Sequence, residues 1–310
     1  HDTPLHLGRR IAVIGLGAIG VELAQALARL GITVAGFDAL ETVAGITDPK
    51  VRESAIAALQ KDFALHLGAP AELEAQGDSI RVSGREGVFE ADAVLAALGR
   101  RPQLDGLGLE TLGVDLDDKG QPPIDPNTMQ IADLPVYLAG DANGDRALLH
   151  EAADEGHIAG RHAVATRDER LSRRPAMAIT FAEPNIGAVG ARYGALDPDE
   201  TLIGEVDFAR QGRARVVAAN HGVMRLYARR SDGRFLGAEF CAPAGEHMAH
   251  LLGLAVTGEM RICEILAMPF YHPVLEEGLR SALRDLDRQL PDEGRSDLAQ
   301  CKPLGIEALE

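Results

Sequence analysis

Cysteine is scarce in this 310-residue chain. Its three cysteines, Cys241, Cys263 and Cys301, stand far apart, with no CxxC pair and no metal-ligand spacing. That argues against a disulfide-stapled secreted module and against a zinc module. No apolar run reaches the roughly 18 residues of a membrane-spanning helix, so none is expected. Basic residues are outnumbered, 31 Lys and Arg against 47 Asp and Glu, for a net charge of −16. Neither nucleic acid nor an anionic membrane is a natural partner for that balance. Internal repeats and low-complexity tracts are also missing. What is present is ordinary globular usage, 46% hydrophobic and 25% charged, at a length that fits about two domains.

The first apolar stretch has two readings. Arg9-Arg10 ahead of Ile11–Val21 looks like an export signal, but the glycine spacing has a mechanical explanation. Ile11-Ala12-Val13-Ile14 reads as a buried parallel strand. It runs into Gly15-Leu16-Gly17-Ala18-Ile19-Gly20, the pattern G-x-G-x-x-G. A helix-favouring run from Glu22 to Leu30 follows and stops at Gly31, and a second strand, 32–37, ends on Asp38. Gly15 permits the tight turn, Gly17 lets backbone approach a pyrophosphate, and Gly20 lets helix and strand close together. The helix N-terminus offers free N–H groups to phosphates. Asp38, about 20 residues on, is placed to accept from ribose hydroxyls. It also repels a 2′-phosphate, and no Lys or Arg lies between it and Lys50, which favours NAD over NADP.

Further along, residues 48–67 carry apolar positions at near-helical spacing (Val51, Ala55, Ala58, Leu59, Phe63), with Asp48-Pro49 as the start. Short strands are expected near 71–75, 79–84 and 87–90, and an apolar run at 93–98 closes on Gly99-Arg100-Arg101-Pro102. Residues 103–135 read as an extended connection, 136–139 as a strand into Gly140-Asp141, and 148–166 as a helix. From 176 to 241 the pattern is β-rich, with a hairpin at Ser231-Asp232-Gly233. Helices are expected at 244–257 and 261–267, and a closing one carries Leu275, Leu279, Ala282, Leu283 and Leu286 on one face. Residues 291–310 are polar and read as a mobile tail.

His272 is the titratable group that stands out. Pro273 keeps it out of the following helix and falls near that helix's first position. Glu277, five residues on, is placed to hold the imidazole in one tautomer. Spacing alone fits equally a histidine that merely flanks a surface helix.

Taken in order, four anchors resemble the pyridine nucleotide–disulfide oxidoreductases, and among them the dihydrolipoamide dehydrogenase branch. They are Gly15–Glu22 with Asp38; Leu98-Gly99-Arg100-Arg101-Pro102; Val136–Asp141 with Leu148-Leu149-His150-Glu151; and His272-Pro273 with Glu277. The resemblance covers about residues 9–288. It implies a Rossmann-type α/β NAD-binding domain (1–100), the returning segment of an FAD domain (101–167), an α+β interface domain (168–290) and the tail (291–310). NAD would be held by Gly15, Gly17, Ala18, Ile19, Gly20 and Asp38, with Glu22 beside the nicotinamide and Gly99 in contact through its backbone. Gly140 and Asp141 would serve the flavin, with Asp141 accepting from its hydroxyls. Leu148, Leu149 and His150 would line its ring. His272, oriented by Glu277, would be the acid/base for thiols of the other subunit of a homodimer. The implied substrate bears a lipoyl group, the cofactors are NAD and FAD, and the implied setting is cytoplasmic, with no metal.

One departure is large. The family opens with an FAD domain bearing its own G-x-G-x-x-G and a C-x4-C redox pair, and neither is in these residues. The resemblance therefore implies a C-terminal piece lacking a domain on the order of 100–150 residues, inactive alone, with its 136–139 strand exposed or disordered. Glutathione reductase is disfavoured by the missing 2′-phosphate arginines, and mercuric reductase because Cys301 has no vicinal partner. A transhydrogenase-like or other flavoprotein disulfide reductase stays open, as does a non-catalytic NAD-binding dimer.

Overall fold

The computed structural model describes residues 8–85, 87–167 and 170–290. The tail reading for 291–310 and Cys301 lie outside them. The chain divides into two compact units. One gathers residues up to Leu98 with those from Pro175 onward, and the other runs from Gly99 to Arg174.

The first unit opens as the sequence suggests. Strand β1 (Arg10–Ile14) pairs in parallel with β2 (Thr33–Asp38), and helix α1 (Ala18–Arg29) crosses between them. Val21 and Ala24 bury on the inward face of α1, and Gly31, at φ +89°, takes the left-handed turn that ends it. Helix α2 (Pro49–Leu59) is capped by Asp48, whose carboxylate accepts from the Lys50 and Val51 N–H groups. It stops eight residues short of the expected 67. Phe63, although in step with the helical spacing, buries from the turn beyond, and β3 (Ala64–Leu67) pairs with β2. Both periods place an apolar residue at 63, so spacing could not separate them. Strands β4 (Glu72–Gln76), β5 (Ser79–Ser83) and β6 (Val88–Ala91) form a small antiparallel sheet, and β7 (Ala93–Ala96) returns beside β1. The parallel sheet runs β3-β2-β1-β7.

In the Gly99–Arg174 unit, helix α3 (Leu149–Val164) is the main element. The expected strand at 136–139 reduces to one bridge, Gln130 to Tyr137. The Ile131 N–H donates to Val136 O at 2.9 Å and Leu138 N–H to Met129 O at 3.0 Å. Nor is the segment exposed. Val136 and Leu138 are half-buried against Leu104, Leu109 and Ile131, because the chain folds back on its own 124–131 stretch to cover them.

Back in the first unit, β8 (Met177–Thr180), β9 (Asn185–Gly190), β10 (Thr201–Asp207), β11 (Val223–Arg229) and β12 (Phe235–Ala242) make an antiparallel sheet, ordered β10-β11-β12-β9-β8. The short helix α4 (Gly212–Val216) interrupts the β10–β11 connection. Helices α5 (Gly245–Thr257), α6 (Ile262–Leu266) and α7 (Glu277–Asp287) pack on this sheet. Helix α7 buries Leu279, Ala282, Leu283 and Leu286, as its spacing predicts. It begins four residues after Pro273, not at it. The intervening turn is held by Val274 N–H donating to Glu277 Oε2 at 3.2 Å. Ala182, Ile186 and Cys241 join the core of the parallel sheet, so that sheet and the five-stranded one share buried contacts. Among the described residues no helix is long and apolar enough to cross a membrane.

Candidate functional site

The G-x-G-x-x-G turn is built by steric exclusion. Gly15 sits at φ +91°, and a Cβ there would lie 2.5 Å from Ala97 O. A Cβ on Gly20 would lie 1.8 Å from Gly15 O. These two glycines are buried, and they let α1 start directly against β1. Gly17 is different. It is exposed, has an ordinary φ of −63°, and a Cβ on it would meet nothing within 4 Å. The space a side chain would fill is open, directly before α1. No side chain caps α1, and no acid lies in its first turn. Exposed Ala18 and Ile19 therefore present backbone N–H groups to that space. This cradle fits a dinucleotide pyrophosphate.

Asp38 closes the same turn. Its Oδ2 accepts from Leu16 N–H at 2.6 Å, and its Oδ1 from Leu40 N–H at 2.8 Å. Each oxygen keeps a lone pair for a hydroxyl donor. Glu22, one turn into α1, accepts from Phe181 N–H at 2.8 Å. That contact, 159 residues away in sequence, ties α1 to the segment after β8.

In the Gly99–Arg174 unit, Gly99 stands exposed at φ +94°, with open space where its Cβ would be. Gly140 (φ +75°) donates its N–H to Glu155 Oε2 at 2.7 Å, and Asn143 Nδ2 donates to the same oxygen at 2.7 Å. Glu155 is fully buried, and Arg173 Nη2 donates to its Oε1 at 2.5 Å and to Glu151 Oε2 at 2.8 Å. Arg146 adds a second ion pair to Glu151 at 2.9 Å, and the two arginines together hold that carboxyl below the usual carboxylate range against the opposing effect of burial. The sequence reading missed this network. It clamps the Gly140–Asn143 turn onto α3. Asp141, about half exposed, takes Arg100 Nη1 at 2.9 Å. At the start of α3, Leu149 is 88% exposed, beside exposed Leu148 and His150. An uncovered apolar pair next to an open carboxylate fits one side of a flavin site.

The His272–Glu277 pair forms as the spacing suggests. Nδ1 of His272 lies 2.9 Å from Glu277 Oε1. A carboxylate only accepts, so Nδ1 carries the proton and Nε2 is the free, accepting nitrogen of a ring that is 81% exposed. The imidazole beside it holds the Glu277 carboxyl below the usual carboxylate range. Among the described residues no group of three His, Cys, Asp or Glu side chains could hold a metal ion.

The turn before α2 is joined to the five-stranded sheet by a buried polar network that no local motif announces. Glu239, fully buried on β12, accepts from the N–H groups of Thr47 (2.8 Å), Asp48 (2.9 Å) and Tyr193 (3.1 Å) and from Thr47 Oγ1 (2.5 Å). Asp48 in turn takes Arg225 Nη1 at 2.8 Å and Tyr227 Oη at 3.0 Å. Burial, with Asp48 alongside, pushes the Tyr227 phenol far up, so it stays a neutral donor.

Comparison with known proteins gives a consistent neighbourhood. The family model described as pyridine nucleotide-disulphide oxidoreductase matches residues 1–156, and the model of that family's dimerisation domain matches 175–283. The mitochondrial dihydrolipoyl dehydrogenase of Mesocricetus auratus is 30% identical over 284 residues, covering 87% of this chain and 59% of that protein. The Homo sapiens protein of the same name is 30% identical over 286 residues, covering 88% and 56%. The chain thus spans less than two thirds of the length of these relatives. Among solved structures, LpdA from Mycobacterium tuberculosis superposes with a TM-score of 0.78 at 25% identity, over 90% of this chain and 61% of that one. The HOCl-induced flavoprotein disulfide reductase RclA from Escherichia coli shares the fold, with a TM-score of 0.75 at 22% identity over 91% and 65%.

Proposed function

Because the chain belongs to the pyridine nucleotide-disulphide oxidoreductase family, we propose that it carries the NAD-binding and thiol-proton-handling parts of a dihydrolipoamide dehydrogenase. The observation that carries this reading is the His272–Glu277 pair, an exposed imidazole with Nε2 free and its tautomer set by a carboxylate. FAD and NAD, when bound, supply the passage of an electron pair from thiol sulfur to the nicotinamide as hydride.

This chain's own residues have narrower tasks. Ala18 and Ile19 offer N–H groups to the pyrophosphate across the space left by Gly17, while Gly15 and Gly20 shape the turn. Asp38 accepts from a ribose hydroxyl and disfavours a 2′-phosphate, selecting NAD. Glu22 serves the nicotinamide, and Gly99 offers its backbone to NAD. Gly140 and Asp141 serve the flavin, and Leu148, Leu149 and His150 cover part of its ring. His272 Nε2 takes the proton from a dihydrolipoyl thiol as its sulfur becomes nucleophilic, and Glu277 stabilises the imidazolium that results. In a homodimer built on residues 175–283, that histidine serves the thiols of the other subunit.

The test is His272→Gln in an FAD-loaded enzyme in which this chain is joined to the family's FAD domain with its redox pair. Dihydrolipoamide-dependent NADH formation should fall by roughly 10²–10⁴-fold, the usual worth of a general base, while NAD affinity by calorimetry stays unchanged. Turnover at the unsubstituted rate would refute the role.

A further inference from the structure

Helix α4 and the turn before it carry three arginines in six residues, Arg210, Arg213 and Arg215, in a chain of net charge −16. Arg210 and Arg215 are exposed and Arg213 is half-buried. Among the described residues none of the three guanidiniums has a carboxylate at ion-pair distance. The nearest acid in sequence, Asp207, is already used: its Oδ1 accepts from Ala209 N–H at 2.8 Å. Val216 and Val217 follow directly, 73% and 45% exposed. Unpaired guanidiniums beside uncovered apolar side chains are the composition of a protein-docking surface rather than of an idle solvated face.

This patch is bolted to the segment that carries His272. Gln211, between Arg210 and Arg213, donates from Nε2 to Val274 O at 2.7 Å, and its Oε1 accepts from Ala214 N–H at 2.6 Å. Buried Phe208 packs against Gly278, so closely that a Cβ there would lie 2.7 Å from its ring. On the other side Arg280, one turn beyond Glu277, lies over the Phe270 ring at 5.7 Å. The arginine patch is therefore attached, through Gln211 and Phe208, to the segment that carries the candidate acid/base.

We propose that Arg210, Arg213 and Arg215, with Val216 and Val217, dock an acidic carrier domain and so bring its dithiol to His272. This deepens the preceding functional reading and rests on it. Charge complementarity selects the partner: a carrier rich in Asp and Glu is repelled by most of this chain's surface and attracted here, which fixes where it lands.

The test measures affinity, which does not depend on turnover. A purified lipoyl-bearing domain with excess Asp and Glu is titrated by calorimetry into the chain at about 10 mM and about 150 mM NaCl, over which the screening length falls from about 30 Å to about 8 Å. The expected result is binding that weakens with salt and falls at least about tenfold in Arg210→Glu/Arg213→Glu/Arg215→Glu. A charge-matched control, Arg52→Glu/Arg81→Glu/Arg101→Glu, should bind like the unsubstituted chain. Equal weakening in both triples would reduce the effect to net charge and overturn the proposal. So would absence of binding, or an affinity that the patch substitutions leave unchanged. If the patch substitutions alter only the sedimentation of the chain with itself, the surface is a contact between copies and the proposal fails. Melting temperature and NAD affinity, read on each triple, show that the fold is intact. His272→Gln should keep carrier affinity, so failure of the catalytic reading shows in turnover alone.

Discussion

Alanine at Gly17 and alanine at Gly20 should separate ligand binding from folding within one six-residue turn. At Gly20 the new Cβ would lie 1.8 Å from Gly15 O and 2.9 Å from Gly15 C, both backbone atoms. Gly15 cannot yield easily, because its N–H donates to Phe37 O at 2.8 Å and its own Cβ position faces Ala97 O. Helix α1 must shift instead. Overpacking of this kind costs about 1–3 kcal/mol, and at about 2–4 °C per kcal/mol for a chain of this class the melting temperature should drop by roughly 2–12 °C. At Gly17 the added Cβ would meet no atom within 4 Å, and φ −63°, ψ −171° suits alanine. Melting should move by no more than about 4 °C, since exchanging Gly for Ala at an N-cap costs on the order of 1 kcal/mol. The methyl group would instead occupy the space through which a pyrophosphate approaches Ala18 and Ile19. NAD affinity by calorimetry should fall at least about tenfold, or ~1.4 kcal/mol. Gly17→Ala binding NAD as well as the unsubstituted chain would refute the placement of the phosphates. An unchanged melting temperature for Gly20→Ala would refute the steric argument.

Other predictions follow from buried and paired groups. Removing Glu239 as Glu239→Ala leaves the N–H groups of Thr47, Asp48 and Tyr193 without their acceptor. It should cost about 2–4 kcal/mol in denaturant unfolding, water recovering part at exposed Thr47, and a loss below about 1 kcal/mol would deny the network its structural weight. The Glu277 carboxyl sits below the ordinary range because His272 bonds its charged form. The stabilisation this gives is complete above the unfolded carboxyl's pKa and is lost as pH falls through the depressed folded value. A side-chain NMR titration of Glu277 should show a depressed midpoint that rises in His272→Gln, part of the depression staying with the Val274 N–H and Arg280, and an ordinary midpoint in both would rule out the pair in solution. Burial pushes the Cys241 thiol up to about 12, which leaves a thiolate fraction on the order of one in ten thousand at pH 8. Peptide mapping after brief iodoacetamide treatment should find Cys241 unmodified while half-buried Cys263 reacts, and equal labelling would mean that the surrounding core opens.

Legibility in the sequence followed distance along the chain. The dinucleotide turn, the Asp48 cap, the face of α7 and the His272–Glu277 pair each lie within a few residues, where local geometry alone decides contact. Helix α2 was overrun because Phe63 satisfies both a helical period and a buried turn. The 136–139 run was read as a strand because apolar residues there could pair in a sheet, whereas they cover a small cluster from one side. The Glu239–Asp48–Arg225–Tyr227 network could not be read at all. Glu239 and Asp48 are 191 residues apart, and each in isolation looks like an ordinary surface acid.

Asp38 shows how a motif reading can be incomplete. Spacing assigns its carboxylate to a ribose hydroxyl. The folded chain gives that carboxylate two earlier tasks, accepting from Leu16 N–H inside the glycine turn and from Leu40 N–H beyond β2. The proposed ribose acceptor is thus also a strut of the glycine turn, and its orientation is set before any nucleotide arrives. Preorganisation of this kind lowers the ordering cost of binding. It also means that loss of the acid would disturb Leu16 and Gly17 along with the ribose contact. On that proposal one side chain carries both specificity for the ribose and the shape of the pyrophosphate site, and Gly17, where an added Cβ would meet nothing within 4 Å, is the position where the two can be separated.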